Sequence, residues 1–95
     1  MRVFWTNTAT QHLLAIYAHI AQDAPRYGQR MVERLTERSE QIAAFPLSGR
    51  MVPEYEVAGV REVIERPYRI ICRIKSDQID ILAVLHSART LPPEP

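Results

Sequence analysis

Four residues in the last third of the chain carry side chains suited to chemistry: Arg61, Arg69, His86 and Arg89. An imidazole can act as a general acid or base near neutral pH, and a guanidinium group binds phosphate in a bidentate fashion. Together they suit the binding of phosphate or of an acidic peptide. They suit a structural role as well, in which His86 bonds to backbone at a strand end and the arginines pair with Glu62 and Glu65.

The sequence indicates no other catalytic chemistry. It contains no P-loop, no glycine-rich phosphate cradle and no nucleophile–base signature. Cys72 is the only cysteine, and no spacing of cysteine and histidine resembles a metal site. His12 and His19, seven residues apart on a predicted helix, are expected at the surface. We therefore expect neither a metal ion nor a cofactor.

The composition is that of one small globular domain. The 95 residues are expected to form a single domain over 1–95, and 46% of them are apolar. The net charge is +1, and eleven of the twelve basic residues are arginine, so bulk charge points to no partner. No apolar run approaches the roughly 18 residues of a membrane span, and the N-terminus lacks a signal-peptide core. We expect a cytoplasmic protein with no membrane association.

Hydrophobic spacing predicts the elements that position these residues. A short strand over residues 3–6 precedes a helix capped by Asn7 or Thr8, and a second helix is predicted over residues 25–44. The short connection between them implies an antiparallel hairpin. The apolar positions of the first helix are Leu13, Ile16, Tyr17 and Ile20, and the predicted buried stripe of the second is Tyr27, Met31, Leu35 and Ile42.

The second half of the chain predicts a meander of three strands. A loop over residues 46–58, which includes the carboxylate Glu54, leads to strands at 61–65, 68–74 and 79–85. The proline-rich tail 91–95 is expected to be frayed. The predicted order is β-α-α-β-β-β: an N-terminal strand, an antiparallel αα-hairpin and a three-strand antiparallel meander. This is an α+β fold with the hairpin on one face of the sheet.

Strand alternation divides the meander into two faces. Tyr68, Ile70, Cys72 and Ile74 are predicted to face the core, with Ile79, Ile81, Ala83 and Leu85 of the last strand. The opposite face is predicted to be open, partly apolar and partly cationic. Such a face favours a partner protein as its cover. The partner-binding residues predicted there are Arg69, Ile71, Arg73, Leu82 and Val84.

Five motifs, in this order, resemble the RelE/ParE family of bacterial toxins, the toxic halves of type II toxin–antitoxin modules. They are Trp5, the Pro-Leu-Ser-Gly-Arg turn at 46–50, Arg-Glu-Val-Ile at 61–64, Pro-Tyr-Arg-Ile-Ile-Cys-Arg-Ile at 67–74 and Ala-Val-Leu-His-Ser-Ala-Arg at 83–89. The resemblance covers nearly the whole chain. It implies the RelE-like toxin fold and a hetero-oligomer with a cognate antitoxin, which drapes over the groove and sheet of the toxin.

The resemblance implies one of two activities. RelE-like members are metal-independent mRNA endonucleases that act at the ribosome, and their catalytic positions would fall near Arg61, Arg69 and Arg89, with His86 as acid or base. ParE-like members act on DNA gyrase. The lysines of the RelE pattern are missing, and no tyrosine follows Arg89. We therefore expect a ParE-like, non-enzymatic toxin that inhibits growth and serves plasmid stabilisation. The alternatives are the endonuclease, and a degenerate toxin or non-toxic interaction module.

Overall fold

The elements follow the predicted order, in a computed structural model that describes residues 1–54 and 59–89. They are β1 (Arg2–Trp5), α1 (Asn7–Ala21), α2 (Pro25–Ala44), a 3₁₀ turn (Pro46–Ser48), β2 (Arg50–Met51), β3 (Val60–Glu65), β4 (Tyr68–Ile74) and β5 (Gln78–His86). No helix in the two described ranges has the length and hydropathy needed to cross a bilayer. The α+β class and the helical hairpin are confirmed.

The described strands form one sheet in the order β1-β5-β4-β3-β2. The antiparallel meander β3–β4–β5 is as predicted. Two pairings were not predicted. The first strand, β1, lies parallel to β5, with Arg2 opposite Gln78 and Trp5 opposite Ile81. Inside the predicted loop, β2 pairs antiparallel with β3.

The helical hairpin packs closely because α2 presents a glycine to α1. A Cβ on Gly28 would lie 3.3 Å from the backbone oxygen of Tyr17. Tyr27 is 42% exposed, so its prediction as part of the buried stripe of the second helix was wrong, and Tyr17 of α1 is 39% exposed. The N-cap of α1 is Thr6, whose Oγ1 accepts from the Ala9 amide, rather than Asn7 or Thr8.

The main core lies between the hairpin and the near face of the sheet. Its fully buried side chains include Met31, Leu35 and Ile42 of α2, with Ile70, Cys72, Ile79 and Ile81 of the sheet. A second, smaller core lies on the far face, where Val52 covers Val60, Ile71 and Ala83. The far face is therefore not open as predicted. Ile71 is only 1% exposed and packs in the same cluster as Val52, the residue after β2.

A β-bulge in β5 changes which residues face the core. Cys72 lies opposite Ile81, but Ile71 lies opposite Ala83, so Leu82 is an extra residue on β5. Beyond this point the alternation is inverted. Val84 enters the main core, 2% exposed, and Ala83 joins the second core. The prediction that Val84 lies on an open face and Ala83 in the main core was wrong for this reason.

Candidate functional site

A groove of about 400 Å³ lies between α1 and the end of β5. Its basic lining consists of His12 and His19 from α1, His86 from β5 and Arg89 beyond it. Ala15, Ile16, Tyr68, Val84 and Leu85 complete the wall. All three histidines of the chain therefore line one groove.

The shortness of β1 creates this groove. Its last residue, Trp5, lies opposite Ile81, so residues 82–86 of β5 extend past the β1 pairing within the described part of the chain. Side chains at the start of α1 satisfy the exposed edge instead. Thr6 Oγ1 donates to the Ile81 carbonyl at 2.7 Å, and the Val84 amide donates to His12 Nδ1 at 3.2 Å. The first turn of α1 therefore lies where a longer β1 would have paired with β5, and the groove lies beside this turn.

The hydrogen bonds of two histidines fix where their protons reside. Nδ1 of His12 accepts from Val84, and Nδ1 of His86 accepts from the Ala88 amide at 3.2 Å. In the neutral form each ring therefore carries its proton on Nε2. The His86 ring also packs edge-on against Tyr68, with centroids 5.9 Å apart. Burial, and then the charge of Arg89, lower the pKa of His12 below its ordinary 6.5.

Acid should destabilise the fold through His12. Its folded pKa lies below the unfolded value, so the unfolded chain binds more protons as the pH falls below about 6.5. This contribution to stability is complete above that pH and is lost as the pH falls through the folded pKa. His12→Asn can keep an acceptor for the Val84 amide but cannot titrate. We expect urea denaturation between pH 8 and 5 to show a shallower acid decline for the variant. Parallel declines would contradict this assignment.

On the far face, Arg69 is the centre of a buried ionic cluster. Its guanidinium contacts both carboxylate oxygens of Glu54, donates to Glu62 at 2.7 Å and donates to the Arg89 carbonyl at 2.7 Å. Arg50 binds the other oxygen of Glu62, whose side chain is fully buried. These bonds, led by those to Glu54, raise the pKa of Arg69, which is 5% exposed. Arg69 is therefore permanently charged, and carboxylates within the protein balance its charge.

The four candidate residues do not form one cluster. His86 and Arg89 share the groove, whereas Arg69 lies on the far face and donates a hydrogen bond to the backbone carbonyl of Arg89. Arg61 lies two strands away on β3, opposite Cys72. Burial raises the pKa of Cys72 to about 11, so it remains a thiol and donates to the Arg61 carbonyl at 3.5 Å.

Of the five predicted partner-binding residues, Arg69, Ile71 and Val84 are buried, so their expected exposure was wrong. Arg73 and Leu82 remain half-buried and accessible. The groove residues that the sequence interpretation missed are His12 and His19, which were expected to be unremarkable surface residues. Their spacing of seven on one helix face was the available signal. Within residues 1–54 and 59–89, no three acidic, cysteine or histidine side chains are grouped to bind a metal.

Residues 3–91 match the family model described as the ParE toxin of the type II toxin–antitoxin system parDE. Toxin RelE2 of Caulobacter vibrioides is 34% identical over 89 residues, covering 93% of this chain and 97% of its own length. The fold is similar to a chromosomal ParDE system from P. aeruginosa, with a TM-score of 0.76, 30% identity, and 90% of this chain and 95% of that one covered. It is also similar to the RelBE2 toxin–antitoxin complex from Mycobacterium tuberculosis, with a TM-score of 0.67, 25% identity and the same coverage.

Proposed function

Because this chain belongs to the ParE toxin family of type II toxin–antitoxin systems, we propose that it inhibits growth by acting on DNA gyrase and is neutralised by a cognate antitoxin. The match over residues 3–91 and the higher TM-score to the ParDE system support the ParE branch. One relative bears the name RelE2, so the choice of target depends on the site.

The state of Arg69 is the observation that carries the proposal. The resemblance to RelE-like nucleases assigns this position to phosphodiester chemistry, which needs a cation available to the substrate. Here the guanidinium is 5% exposed and is already bonded to Glu54, Glu62 and the Arg89 carbonyl. Binding a phosphate would require these bonds to break. Arg69 therefore acts as a structural ion, which favours a toxin that works by binding its target.

The ribonuclease remains the second candidate, because His86 and Arg89 do share a groove. A histidine can supply the acid or base, and an arginine can stabilise the charge on the phosphorane. Translation-coupled mRNA cleavage by the wild-type chain, abolished in His86→Ala, would establish this activity in place of the gyrase proposal. Expression without growth arrest would instead favour a degenerate, non-toxic module.

An exposed apolar segment gives the antitoxin a place to bind. Phe45 is 71% exposed and Leu47 is 76% exposed just before edge strand β2, and Met51 within that strand is 46% exposed. We propose that the antitoxin covers this segment and reaches Arg73 and Leu82 on the far face. A stable complex of this kind buries on the order of 1,200–2,000 Å².

A supercoiling assay tests the target and the antitoxin together. We expect the purified chain to inhibit gyrase at stoichiometric excess, and the product of the adjacent antitoxin gene to restore activity. A double variant, Phe45→Ser with Leu47→Ser, should inhibit as the wild type does but need roughly tenfold more antitoxin for reversal, a loss of about 1.4 kcal/mol. Leu14→Ser is the matched control, since Leu14 is 63% exposed but lies on α1.

Two results would count against these proposals separately. Unchanged supercoiling at high toxin excess would exclude gyrase as the target. Equal antitoxin requirements for the double variant and Leu14→Ser would exclude the Phe45–Met51 segment as the antitoxin surface, whatever the target.

A further inference from the structure

We infer that Arg61 binds a carboxylate of the antitoxin, where the apolar Phe45–Met51 segment meets the outer edge of the sheet. This inference rests on the proposed neutralisation by an antitoxin and goes beyond it. It names the charge that the partner must carry at this place and the residue of the toxin that recognises that charge.

Arg61 lies on the helical side of the sheet, beside an exposed apolar side chain. Along β3, Val63 belongs to the main core and Val60 to the far-face core, so alternation places Arg61 with Val63 on the near face. Its partner across the β2–β3 ladder is Met51, which is 46% exposed. Directly opposed residues of an antiparallel ladder share a face. The cation therefore adjoins the apolar surface proposed for the antitoxin.

The guanidinium of Arg61 lacks an acceptor within the described part of the chain. Across residues 1–54 and 59–89 it forms no ion pair, and its buried Nε has no hydrogen-bond partner. The two carboxylates of β3 are engaged elsewhere, since Glu62 binds arginines of the far face and Glu65 binds arginines of α2. Buried donors in folded proteins almost always have an acceptor. A carboxylate from a partner would supply one.

The stem of Arg61 is held in place, while the residue keeps some exposed surface. A Cβ on Gly49 would lie 3.3 Å from the Arg61 Cβ, so the backbone of Gly49 packs directly on this stem. Arg61 as a whole is nevertheless half-buried rather than buried. A strand added beside β2 would lie two strand spacings from β3, about 10 Å away. An extended arginine and an extended glutamate can together span that distance.

The surface specifies the chemistry of the segment that covers it. Strand β2 is the last strand of the described sheet, and such an edge is a template for an extended peptide. Apolar side chains of the peptide would cover Leu47 and Met51, and a glutamate among them would pair with Arg61 in the bidentate geometry that arginine favours. A basic segment would bring a second unpaired cation to a half-buried site, which disfavours it.

The test is a calorimetric titration of the purified chain with the antitoxin encoded by the adjacent gene, at several salt concentrations. Arg61→Gln should weaken binding about tenfold or more and should make the affinity less sensitive to salt, because one ion pair is lost. Arg61→Lys should recover only part of the affinity, since an ammonium group cannot form the bidentate pair. Arg66→Gln is the matched control, at an exposed position just beyond β3, and should bind as the wild type does.

A charge reversal separates this contact from a loss of folding, which urea denaturation of each variant also checks. Arg61→Glu should bind the unaltered antitoxin poorly, and replacing one acidic residue of the antitoxin with lysine should restore its binding. Three results would overturn the inference while leaving neutralisation by the antitoxin in place. They are equal affinities of Arg61→Gln and the wild type, an equal loss in Arg66→Gln, and failure of every such lysine variant to improve binding to Arg61→Glu. An antitoxin that does not bind the wild-type chain would overturn the neutralisation itself, and the inference with it.

Discussion

Replacing Arg69 with methionine should lower the free energy of unfolding by about 3–5 kcal/mol at neutral pH. The variant would remove the cation that lies between the fully buried Glu62 and the mostly buried Glu54, while Arg50 would still pair with Glu62. Methionine can fill much of the volume of the arginine stem, so the expected loss reflects the lost ion pairs rather than a cavity. Urea denaturation measures the difference directly.

A second variant identifies charge as the cause. Adding Glu62→Gln to Arg69→Met should recover part of the loss at neutral pH, since one buried negative charge is removed. Arg73→Met is the matched control, because Arg73 lies four residues further along β4 on the same face but is only half-buried. A loss in Arg73→Met as large as that in Arg69→Met would contradict a special role for the cluster.

Sequence predicted the elements whose signals are local. The second helix was predicted over residues 25–44 and is Pro25–Ala44 in the structure, because Pro25 marks its first turn and Pro46 cannot continue it. The turn at Arg66–Pro67 was predicted from its proline. In each case the residues that specify the feature lie inside it or beside it.

The missed features depend on residues far apart in the chain. Arg2 and Gln78 pair across the parallel β1–β5 ladder although 76 positions separate them. No local pattern in residues 2–5 specifies a parallel neighbour. The two-residue strand β2 has no recognisable sequence pattern either, because Arg50–Met51 is too short to show alternation of apolar and polar residues. Only the completed sheet determines either pairing.

The sequence singled out candidate residues but not their geometry. His86 and Arg89 were singled out, and they do lie together in a groove. Arg69 was singled out by type, but its role depends on Glu54 and Glu62, which reach it from other segments. His12 was overlooked because its function at the edge of β5 exists only once β1 ends at Trp5.

The bulge at Leu82 leads to the last prediction. Uninterrupted alternation would place Leu82 and Val84 on one face, where an added charge could remain in water. The bulge instead carries Val84 into the main core. Val84→Asp should therefore destabilise the fold by about 4 kcal/mol or more, because it buries a carboxylate among apolar side chains. Leu82→Asp should cost clearly less, since Leu82 is only half-buried.

A milder pair keeps this comparison measurable if Val84→Asp does not fold. Val84→Thr preserves shape but buries a hydroxyl group, at an expected cost of about 1–3 kcal/mol. The same substitution at the half-buried strand position Val3 should cost less, because water can reach the new hydroxyl there. Equal losses of unfolding free energy for Val84→Thr and Val3→Thr, or a greater loss for Leu82→Asp than for Val84→Asp, would contradict the inverted register.

The register matters for the groove as well, since the same inversion turns His86 towards α1 and the two histidines of that helix.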